Sequence, residues 1–211
     1  MPDSPTFIVF MVAALVLLVT PGPAVFYIVT RSIDQGRVAG IVSTLGIGAG
    51  TLVHVTAAAL GLSALLMSSA VAFNTLKYLG AAYLVYLGIR KFLVPDEFEQ
   101  PRSLQRRTLA RIFCDGVIVN VLNPKTALFF FAFLPQFVDI TKGGVWVQII
   151  LLGVLFVLMG ILSDGTYALL AGSFGNCLKG NQRWLRVQRY FAGTVFIGLG
   201  LIATFSGSHR K

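Results

Sequence analysis

Asn120-Val121-Leu122-Asn123-Pro124-Lys125 lies within the apolar run 113–138, and its reading decides the fold. Pro124 has no N–H, so the carbonyl of Asn120, four residues earlier, loses its helical partner. An unpaired backbone group in a bilayer costs several kcal/mol unless it is buried in protein or lines a wet cavity. A lysine at similar depth adds about 2.5–3.5 kcal/mol on insertion scales. Groups this expensive imply contact with something polar in mid-membrane.

The membrane setting follows from the rest of the chain. Its 211 residues are 56% hydrophobic and 12% charged, with a mean hydropathy of +0.81, well outside the soluble norm. Six runs, at about 7–29, 39–66, 72–93, 113–138, 145–172 and 189–205, approach or exceed the span of a hydrocarbon core. Their apolar character is continuous rather than alternating, which favours helices over a β-barrel. The expected fold is an all-α integral membrane protein of six transmembrane helices. No separate soluble domain fits between them. The first run is too long for a signal-peptide core, and Asp3 is the only charge before it, so it is expected to be a span.

The net charge of +9 does not indicate nucleic-acid binding, because the basic residues cluster at the ends of the runs. Twelve of the 17 follow the first, third and fifth spans, four fall on the other side, and Lys125 is internal. This asymmetry places both termini outside the cytoplasm. The basic loops are expected to meet anionic membrane lipids. Cys114 and Cys177 then fall at the cytoplasmic face, where thiols stay reduced.

The single polar loop, about 94–112, divides one transmembrane domain (1–211) into halves of about 1–93 and 113–211. Arginines and apolar residues in 102–113 fit either a short interfacial helix or a plain linker. Each half opens with a proline-broken span: Thr20-Pro21-Gly22-Pro23 in the first, Asn123-Pro124-Lys125 in the second. Each break is followed by a glycine-bearing span, with Gly46, Gly48, Gly50 and Gly61 in one half and Gly153, Gly160, Gly165 and Gly172 in the other. Three spans per half give the halves opposite orientations, the inverted-repeat plan of many secondary transporters.

Asp164 is the one acidic residue deep in a span. At the rise of an α-helix it lies ~12 Å from the cytoplasmic end, close to the depths of Pro21 and Lys125. A carboxyl out of water is a natural proton carrier, although an ion pair with Lys125 that pins two helices is the plainer alternative. His54 is a second candidate for proton coupling, or a satisfied histidine bonded to a neighbouring helix. The candidate substrate-binding residues are Pro21, Gly22, Pro23, Asn120, Asn123, Pro124 and Lys125. Gly46 and Gly50 form a Gly-x-x-x-Gly that permits close helix contact.

Together these residues resemble the LysE/RhtB family of bacterial amino-acid exporters, the homoserine/threonine-resistance branch most closely. The likeness is carried by Thr20 to Pro23, Gly50 to His54, Lys77 to Leu84 with Leu87-Gly88, and Asn120 to Lys125 running to Leu134-Pro135-Gln136-Phe137. It implies an inner-membrane antiporter that exports small amino acids or derivatives against protons. It calls for no cofactor, no metal and no enzymatic activity, and leaves a homo-oligomer open. With only Asp164 deep, a neutral homoserine-, threonine- or leucine-like substrate is favoured over a basic one. A membrane-embedded hydrolase would need a nucleophile motif that is not in the sequence, and a passive channel or cation exporter would need rings of acidic or carbonyl ligands.

Overall fold

The computed structural model describes residues 4–62, 70–93, 106–139 and 142–178, together with 190, 193–194, 197–198 and 201. Every regular element among them is helical. Helix α1 (Ser4–Val19) and α2 (Pro23–Gln35) meet at the first break, and α3 (Arg37–Ala57) ends in a π-helical turn, Ala58–Leu62. Helix α4 spans Ala70–Leu93. Helices α5 (Leu109–Val121) and α6 (Pro124–Leu128) flank the second break. The latter continues as a π turn, Phe129–Phe133, and a 3-10 turn, Leu134–Phe137. Helix α7 spans Val145–Leu178.

Two helical stretches, Arg37–Gly61 and Val145–Phe174, are long and apolar enough to cross a membrane. Two broken pairs, Pro5–Val19 with Pro23–Gln35 and Leu109–Val121 with Pro124–Phe137, bring the number to four if each pair is one span. Each pair bends by 49°. The third expected run, 72–93, is occupied by α4. The sixth, 189–205, and most of the loop 94–112 lie outside the described residues. Helix α5 begins at Leu109 rather than at 113. Thr108 caps it, its Oγ1 accepting from Arg111 N at 3.3 Å, so 109–112 belong to the helix that enters the bundle.

The helices are apolar outward and polar inward. On α1, Ile8, Val12, Leu15 and Val19 are exposed at helical spacing, as are Val38, Ile41, Leu45 and Leu52 on α3 and Val154, Leu158 and Leu162 on α7. In a bilayer these stripes face lipid. The inner face of α3 carries Ser43, Thr44, Thr51 and His54, all buried. Its hydroxyls return to the backbone one turn back: Ser43 to Ala39, Thr44 to Gly40 and Thr51 to Ile47.

Close packing brings α3 against α5. A Cβ on Gly46 would lie 2.4 Å from the Phe113 carbonyl oxygen, and one on Gly50 would lie 2.8 Å from that of Val117. The Gly-x-x-x-Gly therefore serves a contact within the chain. An aromatic core fixes α1, α7 and the turns after α6. Phe129 stacks on Phe156 at 4.3 Å, and Phe10 meets Phe137 edge-on at 5.4 Å. Between the 3-10 turn and α7 the chain reverses through Gly143 and Gly144, with φ of 68° and 56°, values that favour glycine. Buried Gln148 closes this turn by donating to the carbonyls of Asp139 and Gly143, both at 2.9 Å.

Candidate functional site

Each break leaves a carbonyl at a helix end, and each is answered by a side chain from elsewhere in the chain. At the first break, Thr20 N–H still bonds back to Val16 and Leu17, after which Pro21 stops α1. Gly22, extended at φ −149°, is the N-cap of α2, with Pro23 as its first residue. The Thr20 carbonyl then accepts from Lys125 Nζ, which crosses from the second break. Lys125 lies over Gly22, where an added Cβ would approach its Cδ to 3.2 Å. An ammonium at the C-terminal end of α1 also faces the negative end of that helix dipole.

At the second break, the carbonyl deprived by Pro124 accepts from His54 Nε2 at 3.0 Å and from Asn123 N–H at 3.0 Å. A carbonyl only accepts, so Nε2 carries the proton. The imidazole lies parallel to the Phe130 ring, 6.1 Å away. Asn123 caps the short α6 by accepting from Lys125 N–H at 3.1 Å.

The Asn120 side chain joins the break to α3. Its amide donates to the Ile47 carbonyl at 2.9 Å and to Thr51 Oγ1 at 2.8 Å. Its oxygen accepts from Thr126 Oγ1 at 2.9 Å and Asn123 Nδ2 at 3.3 Å. Both donors and both lone pairs of a 1% exposed amide are therefore occupied within the protein.

These groups border one cavity between α1, α2, α3, α5, α6 and α7. Its volume is about 40 Å³, room for about three waters at ~10–15 Å³ each. Of the expected site residues, Gly22, Asn120, Asn123, Lys125 and Asp164 line it; Pro21, Pro23, Pro124 and His54 do not. Pro23 and Pro124 have exposed rings, so they act on the site through the backbone they interrupt.

Asp164 is buried on α7 and opens onto the cavity. Among the described residues no hydrogen bond or ion pair reaches its carboxylate, yet Lys125 is near enough to act on it electrostatically. One turn on, Tyr167 ties α7 to the end of α1 by donating to the Val19 carbonyl at 2.8 Å. The sequence reading named Gly48 and Gly160 only as glycines of the spans after the breaks, and did not assign to the site Thr51, Thr126 or the apolar wall of Leu17, Phe156, Val157 and Ile161. Thr51 stands in the Gly50–His54 stretch and Thr126 follows Lys125, so both had a local signal. The apolar wall had none, being as apolar as the residues that face lipid.

Along α2, two side chains bond to the chain around the start of α5. Gln35 donates to the Arg107 carbonyl at 2.8 Å and accepts from Arg107 N–H at 3.0 Å. Tyr27 donates to the Ile112 carbonyl at 2.7 Å. Arg107 and Arg111 both pair with Asp115, midway along α5.

Broken apolar helices around a small, largely apolar cavity, with one ammonium and one carboxylate beside it, fit a membrane transport protein. The chain belongs to the LysE type translocator family, whose model matches residues 15–207. It is 28% identical over 193 residues to a homoserine/homoserine lactone efflux protein of Salmonella typhimurium, covering 92% of this chain and 93% of the relative. It is 27% identical over 192 residues to a leucine efflux protein of the same organism, covering 90% of each. An uncharacterized membrane protein of Vibrio cholerae is 28% identical over 200 residues, or 95% of this chain and 97% of its own length. No solved structure matches the chain.

Proposed function

We propose that this translocator exports small neutral amino acids, leucine- or homoserine-like, across the bacterial inner membrane in exchange for protons. The observation that carries the reading is that one ammonium, Lys125, and one carboxylate, Asp164, line the same cavity. A zwitterion brings one carboxylate and one ammonium, and the site offers one group of each opposite sign. Its carboxylate meets Lys125 and the N-terminal turn of α2, where backbone N–H groups lack partners within the helix. Its ammonium meets Asp164. A proton on Asp164 removes the charge that holds the ammonium, so proton loading and substrate binding exclude each other, the simplest basis for exchange.

Asn120, Asn123 and His54 hold the two breaks in register around this pair. The matched 49° bends support alternating access, and in this scheme two three-span halves of opposite orientation rock against each other. In this scheme the Gln35–Arg107 and Tyr27–Ile112 bonds join the halves on the cytoplasmic side and break when the site opens there. The cavity is smaller than an amino acid, so the substrate enters only as the walls part. The relatives named for leucine and for homoserine or its lactone support the substrate class.

The test is transport in proteoliposomes loaded with labelled leucine or homoserine, with and without an imposed pH gradient. Gradient-driven movement of the amino acid, accompanied by counterflow of protons, is the expected result. Movement of inorganic cations, or amino-acid flux that only follows its own gradient, would replace the exchanger with a cation exporter or a passive channel.

A further inference from the structure

The glycines of α3 and α7 divide by what a side chain on them would meet. Gly46 and Gly50 abut the α5 backbone, and a Cβ on Gly153 would lie 2.7 Å from Val55. Packing dictates glycine at these positions. Gly48 and Gly160 differ. A Cβ on Gly48 would touch only Ile161, at 3.5 Å, and a Cβ on Gly160 only Leu18 Cδ2, at 3.4 Å, both ordinary contact distances. Neither has a positive φ. Glycine is, after proline, the least favourable residue inside a helix, and here no neighbour requires it. What the absent methyl groups leave is cavity: both glycines line it.

The two belong to one layer of the site, since Ile161, which a Cβ on Gly48 would touch, adjoins Gly160 in sequence. Gly160 is one turn from Asp164 on α7, ~6 Å along the axis. An amino acid whose ammonium meets Asp164 therefore extends its side chain toward Leu18, Ile161 and the two glycines.

We propose that Gly48 and Gly160 determine the size of the substrate side chain, keeping open an aliphatic pocket that admits a branched chain such as that of leucine. The assignment rests on the amino-acid transport reading above and deepens it. In a site this small, one added methyl removes the space of a substrate methyl. A single methylene in an apolar pocket is worth roughly tenfold or more in discrimination.

The experiment measures export of alanine, homoserine, leucine and phenylalanine by the reconstituted wild type and by Gly48→Ala, Gly160→Ala, Leu18→Ala and Gly61→Ala. Gly61 is exposed, and a Cβ there meets nothing within 4 Å. Gly48→Ala and Gly160→Ala are expected to melt at or above the wild-type temperature, keep alanine export and lose about tenfold or more of leucine export. Leu18→Ala, which enlarges the pocket, is expected to raise phenylalanine export relative to leucine, a gain that misfolding cannot produce. Gly61→Ala should match the wild type. Equal losses across all four substrates would overturn the assignment and make the two glycines hinges; so would an unchanged preference. A wild type that moves none of the four fails before any variant is compared, and that result overturns the transport reading itself.

Discussion

Lys125 and Asp164 are costly in a membrane for the same reason, loss of hydration, but they are compensated differently. Lys125 Nζ has the Thr20 carbonyl, whereas the described residues give Asp164 only the field of Lys125 across the cavity. Asp164→Asn keeps the shape and removes the charge. It is expected to fold as stably as the wild type, because a neutral amide is cheaper to bury, and to lose export driven by a pH gradient. Normal gradient-driven export by this variant would reduce Asp164 to a structural residue. His54 poses the opposite question, since its Nε2 proton is already given to the Asn120 carbonyl. His54→Ala leaves that carbonyl with Asn123 N–H alone and should cost about 1–2 kcal/mol, read as a lower melting temperature in detergent. His54→Gln can still donate and should recover part of that loss. If His54 only braces the break, the glutamine variant exports with the wild-type pH profile; a flattened profile would make it a proton carrier. The sequence left His54 open between a proton carrier and a histidine bonded to a neighbouring helix, and gave no partner for it or for Asn120. Asn120 and His54 carry no local mark of being occupied, and the partners that occupy Asn120, Ile47 and Thr51, stand about 70 positions away on another helix.

Among the elements, the broken helices were legible and their bracing was not. A proline with flanking asparagine or glycine interrupts a helix whatever surrounds it, and both breaks fall where the prolines require. Pro124→Ala puts an N–H within reach of the Asn120 carbonyl, in competition with His54. The protein is expected to remain folded, with about 0.5–1.5 kcal/mol of added helix bonding, and to transport poorly because the bend at the cavity relaxes. Normal transport would show the bend to be incidental. The glycines show where sequence reading stops. Gly46 and Gly48 are two residues apart and equally apolar in setting, yet a Cβ on one would meet backbone at 2.4 Å and a Cβ on the other only the Ile161 side chain at 3.5 Å. Gly46→Ala should cost about 1–3 kcal/mol or more, because the Phe113 carbonyl it meets is backbone and cannot turn aside. Gly48→Ala should cost nothing. Melting temperatures of the two purified variants, side by side, decide this.

For the whole molecule, what matters is which end of the cavity faces which compartment, and charge is the only guide to it. Composition made the membrane setting legible. The outward stripes of Ile8, Val12 and Leu15 or of Val154, Leu158 and Leu162 agree with it, since extended apolar surfaces of this kind suit lipid rather than water. Orientation depends instead on the twelve-to-four distribution of basic residues, which acts during insertion and leaves no trace in packing. The basic side includes Arg107 and Arg111, beside the Gln35 clasp that joins α2 to the entry of α5. If this side is cytoplasmic, that clasp closes the site toward the cell interior, and an exporter must open it to load. A version with Cys114→Ser and Cys177→Ser and one new cysteine in the loop 94–105 tests this in intact cells. The new thiol is expected to react with a membrane-permeant maleimide and to resist an impermeant one until the cells are opened. A second cysteine protein, substituted at Lys142 in the turn before α7, should show the reverse. The two sites bracket the second broken span, so they must differ whichever way the protein sits. Ready labelling of 94–105 from outside, with protection at 142, would invert the molecule, and the clasp would then close the site toward the exterior.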